Sequence, residues 1–431
     1  MNRNFKLTAR IGRSATIALP SSKSISNRLL VMDALEGGHG HIGNLARCND
    51  TEAMVVALTT SARREVSENS TRYVNAHLAG TASRFLTAYF AGLEGSRVVL
   101  DGEPRLRQRP ISELVEALRQ CGAEISYATP PEGGSNKSGL PLFIEGRKLK
   151  GGVVEMDGSV SSQFISAMMM VAPYMEQGLE LRLNGNVVSK PYINMTASLM
   201  SRFGVKADVE FSGRQSRIVI PGGAYIPIET TVESDWSAAS YWYEIAALAP
   251  SLQLELKGLQ PGSLQGDSRV AAYFRAFGVE TEFSPGGVLL SRRNCSRREM
   301  LSLDLSGQPD LAQTLVVTAC LKGTPFSISG LETLLVKETD RIAALTQEMR
   351  KLGYPLTYDG NGVLEWDGSR VEAVPNPAIA TYGDHRMAMA FAPAALLFPG
   401  LVIEHPEVVG KSYPDYWKHL ADAGFKIEAV E

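Results

Sequence analysis

The chain has 431 residues, with 43 Lys and Arg against 46 Asp and Glu, for a net charge of −3. Hydrophobic residues make up 44% and charged residues 21%, which places it among globular chains and excludes wholesale disorder. So balanced a charge argues against a nucleic-acid partner, because such binders carry a marked cationic excess. At roughly 100–200 residues per domain, the length points to two to four domains, or to two built from repeats.

The start, MNRNFKLTARIGRSATIALP, intersperses polar and apolar residues and lacks the apolar run of a secretion signal. Helices rich in small apolar residues are expected to begin near Ser24, Thr81, Val160, Asp235, Asp310 and Asp384, spaced by 57, 79, 75, 75 and 74 residues. Runs such as SAMMMVAP, AASYWYEIAALA, AQTLVVTACL and MAMAFAPAALLF are apolar nearly all round, the mark of buried helices. An amphipathic series interleaves with them: LVEALRQCGAEI, SLMSRFGVKADV, AYFRAFGVETEF, TQEMRKLGYPLTY and KHLADAGFKIEAV. Each stops at a glycine suited to a left-handed cap: Gly122, Gly204, Gly278, Gly353 and Gly424, separated by 82, 74, 75 and 71 residues. Short alternating runs between them, such as SRVVLDG, LELRLNG, LQLELKG and FSISG, read as strands. The chain is therefore expected to hold about six copies of one mixed α/β unit. The first copy is the weakest, since TEAMVVALTTSARREV lacks the terminal glycine.

The longest greasy stretch, Met387 to Phe398, is too short to cross a bilayer and contains Pro393. Cys48, Cys121, Cys295 and Cys320 lie far apart with no CxxC pair, so neither a disulfide framework nor a zinc knuckle fits. A soluble protein of the reducing cytoplasm is expected, with no membrane partner.

The residues that open the buried helices carry more chemistry than the helices themselves. They read PSSKSISNR, AGTASR, GSVSSQ, ESDWSAAS, QPDLAQT and YGDHRM. Ser, Thr and Asp there serve as N-caps, but a helix N-terminus also offers free N–H groups and partial positive charge to an anion. Lys23 with Arg28, Arg84, and Arg386 add a cation within about a turn, which opposes the dipole and points to anion binding. For Arg84, a buried structural pair fits as well. GEPRLRQRP adds Arg105, Arg107 and Arg109 between two prolines, and LLVKETDRIAAL places Lys337 and Arg341 at i,i+4, on one side of a helix. Together these sites point to a ligand with more than one phosphate or carboxylate.

Other signatures fail. Gly38 to Gly43 spells GxGxxG but follows a helix rather than a strand, and reads as a loop. GxxxxGK[ST], HExxH and GxSxG are missing. His39 and His41 lack a third ligand nearby, so no metal site is expected.

SKSISNR, AGTASR, GEPRLRQRP, GSVSSQF, SKPYI, PDLAQT, VKETDR and YGDHRMAM, followed by VVGKSYPDYW, together resemble the 5-enolpyruvylshikimate-3-phosphate synthase family over essentially the whole chain. The sister UDP-N-acetylglucosamine enolpyruvyl transferases share the fold but not this set. They typically use a loop cysteine that no motif here matches. The resemblance implies a two-lobed, inside-out α/β barrel, each lobe three βαβαββ units, closing on substrate as a clamp. Residues 1–18 and 229–431 would form a discontinuous lobe, and 19–228 a continuous one.

The resemblance also implies transfer of the enolpyruvyl group of phosphoenolpyruvate to the 5-hydroxyl of shikimate 3-phosphate by addition and elimination, with no metal or organic cofactor. Catalytic roles would fall to Asp310 as base, Glu338 as proton donor, and Lys23. Shikimate 3-phosphate would meet Lys23, Ser24, Arg28, Ser161, Ser162, Gln163, Ser189, Asp310 and Lys337. Phosphoenolpyruvate would meet Lys23, Gly80, Arg105, Gln163, Arg341, Arg386 and Lys411. The protein would act as a monomer on these small anions. Alternatives are an enolpyruvyl transferase with another acceptor, or a non-catalytic anion-binding protein on the same scaffold; SKPYI and SSQF count against the first, Asp310 and Glu338 against the second. The pattern departs from the family at Ser22 (usually Gly), Leu78 (usually Asn), Phe85 (commonly Pro or Leu), Thr333 (Asn in some members) and Gly383 (often Asn).

Overall fold

The computed structural model describes residues 4–10, 12, 14–62, 71–128, 139–213, 215–249, 252–293 and 300–430. It divides into two compact units, Ser22–Val232 and Met1–Ser21 with Glu233–Glu431. Cys295 lies outside the described residues; Cys48, Cys121 and Cys320 are buried and unpaired. Among the described residues no helix is long and apolar enough to cross a membrane.

In the Ser22–Val232 unit, the helices Lys23–Glu36, Gly80–Gly92 and Ser162–Val171 pack against one another. Every residue of Ser162–Val171 except Gln163 is buried. Strands surround these helices. Arg72–Asn75 runs parallel to Arg97–Asp101, which pairs antiparallel with Leu142–Glu145, itself antiparallel to Glu124–Tyr127. Gly152–Asp157, Leu179–Asn184, Gln215–Ile220 and Asp208–Glu210 repeat that order. Leu179–Asn184 alternates buried and partly exposed residues, as a strand must when one face covers helices and the other meets water. The third sheet has two parallel strands, Glu229–Thr231 and His41–Gly43. It belongs to the repeat that looked weakest in sequence, part of whose expected second helix lies beyond the described residues.

The other unit repeats the scheme with helices Trp236–Leu248, Ala312–Leu321 and His385–Phe391. One sheet takes its first strand, Ser14–Ala18, from the N-terminus and completes it with Gln253–Lys257, Gly287–Arg292 and Val279–Ser284. A second comprises Leu301–Asp304, Phe326–Ser329, Leu364–Trp366 and Thr357–Tyr358. In the third, Ala378–Ile379 and Leu401–Ile403 are parallel, and Asn4–Ala9 inserts between Leu401–Ile403 and Phe425–Val430. Two repeats of this unit are thus closed by N-terminal strands. Where the chain leaves and re-enters the unit, Ser21 bridges Ser234 and the Asp235 N–H bonds the Pro20 carbonyl at 2.8 Å.

All six buried helices begin within two residues of the expected positions. Ser22, Ser161, Asp235 and Asp384 cap four of them through side-chain oxygens. The five glycines that end the amphipathic segments have φ of 92°, 85°, 83°, 87° and 103°, a region open to glycine and costly for other residues. One segment departs from expectation. AYFRAFG is not one helix but a short α-turn, Val270–Tyr273, flanked by 3-10 turns.

Leu315, in the middle of a central helix, is 0% exposed, whereas Val56 is 63% exposed. Leu315→Ala should therefore cost about 2–5 kcal/mol of stability, and Val56→Ala less than about 0.5 kcal/mol. Urea unfolding checks this; equal midpoints for the two variants would contradict the helix-centred core.

Candidate active site

The Glu233–Glu431 segment gathers charge around Arg341, whose side chain is 2% exposed. Its Nε donates to Asp384 Oδ2 at 2.6 Å, its Nη1 to Asp310 Oδ1 at 2.9 Å, and its Nη2 to Glu338 Oε2 at 2.9 Å. Arg386 donates through Nη2 to Asp310 Oδ2 at 2.8 Å and through Nη1 to the Asp310 carbonyl at 3.2 Å. Lys411 Nζ donates to Glu338 Oε1 at 2.7 Å, and Lys337 Nζ lies 3.9 Å from Asp310 Oδ1. Asp310, Lys337, Glu338, Arg341, Arg386 and Lys411, all expected from sequence, thus form one network.

The local folding explains the convergence. Asp384 caps the helix that begins at His385, accepting from the Arg386 N–H at 2.9 Å. Asp340 caps the helix Arg341–Lys351, so that helix starts at Arg341. This corrects the expectation that Lys337 and Arg341 share a helix face: Lys337 precedes the cap, and an Asp at position 340 stops the helix from extending backwards.

Burial pushes the Asp310 carboxyl up, but Arg386, Lys337 and Arg341 outweigh it and hold it well below the usual carboxylate range. Burial pulls the Arg341 guanidinium down, and Asp384, Glu338 and Asp310 more than reverse that. Asp267 behaves oppositely. It is 2% exposed, accepts from the Ser237 hydroxyl, and is pushed up to about 7 by burial and then by the charge of Asp310.

In the Ser22–Val232 unit, Arg28 is also 2% exposed. Its Nε donates to Thr196 Oγ1 at 2.8 Å, Nη1 to the Ser24 carbonyl at 2.9 Å and Nη2 to Ser166 Oγ at 3.1 Å. All three partners are neutral, and burial lowers its pKa to about 10. Phe85, one of the departures from the family pattern, lies under this guanidinium with its ring centre 5.2 Å away. A buried cation held only by neutral groups is suited to an anionic ligand. Lys23 pairs with the buried Asp50 at 3.0 Å.

Gln163 joins two helix starts, accepting from Arg84 Nη1 at 2.7 Å and donating to Thr81 Oγ1 at 3.1 Å. Ser161 caps that helix through the Gln163 N–H, and Ser162 is buried in its first turn. Arg84 also reaches the Gly80 carbonyl and lies over the Phe164 ring, which favours the structural reading left open for it. A Cβ on Gly80 would stand 2.4 Å from Arg109 Nη1 and 2.9 Å from Arg84 Nη1, so a side chain here would push these guanidinium groups aside. Ser189, at φ 53°, precedes the helix Lys190–Arg202. Of the GEPRLRQRP arginines, Arg107 is committed to Asp101 by two 2.9 Å bonds, and Arg105 is exposed, with Nη1 on Gln108 at 3.2 Å.

Sequence reasoning missed Asp384 and Asp50 as members of these clusters and did not separate Arg109 from its neighbours Arg105 and Arg107. Asp384 looked like an ordinary cap, and nothing local reveals that its other oxygen meets Arg341. Asp50 sits in a polar stretch without a motif, and Arg109 reads the same as Arg105 and Arg107.

Because Asp310 is held below its ordinary value of 3.8, its stabilising contribution is complete above that pH and is lost only as pH falls through the lower folded-state value. Asp267 is raised by burial and in part by the Asp310 charge, so the thermal midpoint of the wild type should rise relative to that of Asp310→Asn as pH falls from about 8 to about 5 and Asp267 takes up its proton. A gap that stays constant over that range would mean that Asp267 does not feel the Asp310 charge.

The family model described as EPSP synthase (3-phosphoshikimate 1-carboxyvinyltransferase) matches residues 10–420. A 3-phosphoshikimate 1-carboxyvinyltransferase of Bacteroides fragilis is 48% identical over 427 residues, covering 99% of both chains. One from Vibrio atlanticus is 36% identical over 94% of this chain and 96% of its own. The solved EPSP synthase of Acinetobacter baumannii superposes with a TM-score of 0.73 at 20% identity, covering 100% of each chain, and so shares the fold. The motifs, the six repeats and the full-length match agree: this chain belongs to the EPSP synthase family.

Proposed function

We propose that this protein transfers the enolpyruvyl group of phosphoenolpyruvate to the 5-hydroxyl of shikimate 3-phosphate, releasing inorganic phosphate, on the route to chorismate and the aromatic amino acids. The observation that carries this reading is the sharing of Arg341 by Asp310 and Glu338, each of which also meets a second cation, Arg386 or Lys411. A protein that only bound anions would gain nothing from carboxylates set among its cations. Family membership supports the same reading.

Shikimate 3-phosphate is assigned to Lys23, Ser24, Arg28, Ser161, Ser162, Gln163, Ser189, Asp310 and Lys337. Phosphoenolpyruvate is assigned to Lys23, Gly80, Arg105, Gln163, Arg341, Arg386 and Lys411. The lobes expected at residues 1–18 with 229–431, and at 19–228, are supported by the two compact units, whose limits fall a few residues further on. We place the enzyme in the cytoplasm as a monomer with neither nucleic acid nor membrane as partner; the net charge of −3 and three buried free cysteines support this.

In the addition step the 5-hydroxyl oxygen bonds to C2 of phosphoenolpyruvate, its proton passes to Asp310, and Glu338 protonates C3. The adduct then collapses: C3 gives its proton back to Glu338, the C2–C3 double bond re-forms, the bond from C2 to the phosphate oxygen breaks, and the proton held by Asp310 leaves with the phosphate. Asp310 is a weak base while Arg386, Lys337 and Arg341 hold it. Substrate anions compete for those cations, and that competition restores its basicity. Lys411 can supply the proton that Glu338 first donates, across their 2.7 Å contact, and Lys23 is assigned a share of the proton transfer.

Mixing the purified protein with both substrates should release phosphate. Asp310→Ala and Glu338→Ala should each lower kcat by about 10²–10⁴, far more than either weakens substrate binding. Tight binding of both substrates with no release would favour the non-catalytic scaffold, and release only with a different alcohol would favour another acceptor. Near-normal turnover in either variant would remove that residue from its role.

A further inference from the structure

The segment that carries Asp384 and Arg386 is fastened to the helix Arg341–Lys351 at every second residue. Lys351 Nζ donates to the Ala378 carbonyl at 2.9 Å. Glu348 Oε2 accepts from the Ala380 N–H at 3.2 Å, and Glu348 Oε1 from the Tyr382 hydroxyl at 2.6 Å. Arg341 then meets Asp384 at 2.6 Å. Glu348 is 0% exposed and also pairs with Lys351 at 2.7 Å, so its carboxylate is compensated and available as an anchor.

Beyond Thr381 the backbone turns sharply. Tyr382 and Gly383 have φ of 53° and 71°, and the Asp384 N–H donates to the Thr381 carbonyl at 2.8 Å. Two central residues at positive φ are the signature of a type I′ turn, which favours Gly, Asn and Asp. Gly383 suits its position, and so would the Asn often found there in the family, which explains that departure. Tyr382 does not suit its position. A bulky residue there is strained and persists only where surrounding contacts hold it.

We infer that Tyr382 and Glu348 are positioning residues, a tether that holds this strained turn and thereby aims Asp384 and Arg386. The inference rests on the proposed reaction only where it concerns phosphoenolpyruvate. The turn ends at Asp384, which holds Arg341 and caps the helix carrying Arg386. Releasing Tyr382 lets the turn relax and shifts both guanidinium groups assigned to phosphoenolpyruvate, while Lys337, assigned to shikimate 3-phosphate, lies on another segment. Glu348 touches neither substrate in this assignment and acts through the turn.

The test compares wild type with Tyr382→Phe, which keeps the ring and loses the hydroxyl, and Tyr382→Gly, which removes both the strain and the tether. Amide hydrogen exchange at Asp384 should quicken about tenfold in Tyr382→Phe, the scale of one lost hydrogen bond to a charged group. In steady-state kinetics the phosphoenolpyruvate KM should rise about tenfold in Tyr382→Phe and stay within about twofold of wild type in Tyr382→Gly, which takes the turn without strain, with the shikimate 3-phosphate KM within about twofold in both. Unchanged exchange at Asp384 overturns the tether whether or not the wild type is active. Quickened exchange with both KM values unchanged, or raised equally, overturns the positioning role. A phosphoenolpyruvate KM raised as far in Tyr382→Gly as in Tyr382→Phe does the same, because the strain would then play no part. An inactive wild type instead defeats the proposed reaction, and the exchange measurement still decides the tether.

Discussion

Arg341 is a guanidinium almost wholly removed from water and satisfied by Asp310, Glu338 and Asp384. Burying a charge costs several kcal/mol, and removing one partner of a buried pair costs about 3–5 kcal/mol. The surrounding structure must therefore deliver all of these carboxylates to within hydrogen-bonding range. They come from three stretches of chain: the turn before one central helix, the segment before Arg341 itself, and the cap of a second central helix. Much of the unit's architecture can be read as the means of bringing those three stretches together.

The repeating βαβαββ unit supplies that means. Each repeat buries a helix of small apolar residues and covers it with strands, so the side of the helix cannot carry polar groups cheaply. Its N-terminal turn can, because unpaired N–H groups there want acceptors. Chemistry is therefore confined to the helix starts. In one unit the starts yield the network of acids and bases around Arg341; in the other they yield Arg28 among neutral hydroxyls and Gln163 between Arg84 and Thr81. The same fold rule thus gives two different electrostatic settings, one with cations matched by carboxylates and one with a buried cation that has no carboxylate partner among the described residues.

Much of this was legible in the sequence. The spacing of glycines and of polar residues before greasy runs placed every buried helix, because left-handed caps and N-caps are local demands on residue type. The cations of VKETDR and YGDHRM stood out in the sequence, Lys337 and Arg341 through their spacing and Arg386 because a cation at a helix start opposes the dipole. What was not legible depends on long-range contact. Asp384 reads as a cap and is also a clamp for a side chain 43 positions earlier. Among the three arginines of GEPRLRQRP, only the fold distinguishes Arg107, tied to Asp101, from Arg109 beside Gly80. Lys337 and Arg341 looked like one helix face until the competing demand of the Asp340 cap was met.

If Arg341 and Arg386 are to grip a substrate anion, that anion must compete with carboxylates already bonded to them. Removing one carboxylate while keeping its shape should relieve the competition. Calorimetric titration of phosphoenolpyruvate into Glu338→Gln and into wild type measures this directly. Tighter binding by the variant is expected, whereas unchanged or weaker binding would contradict a site built on carboxylates and substrate contending for the same guanidinium groups.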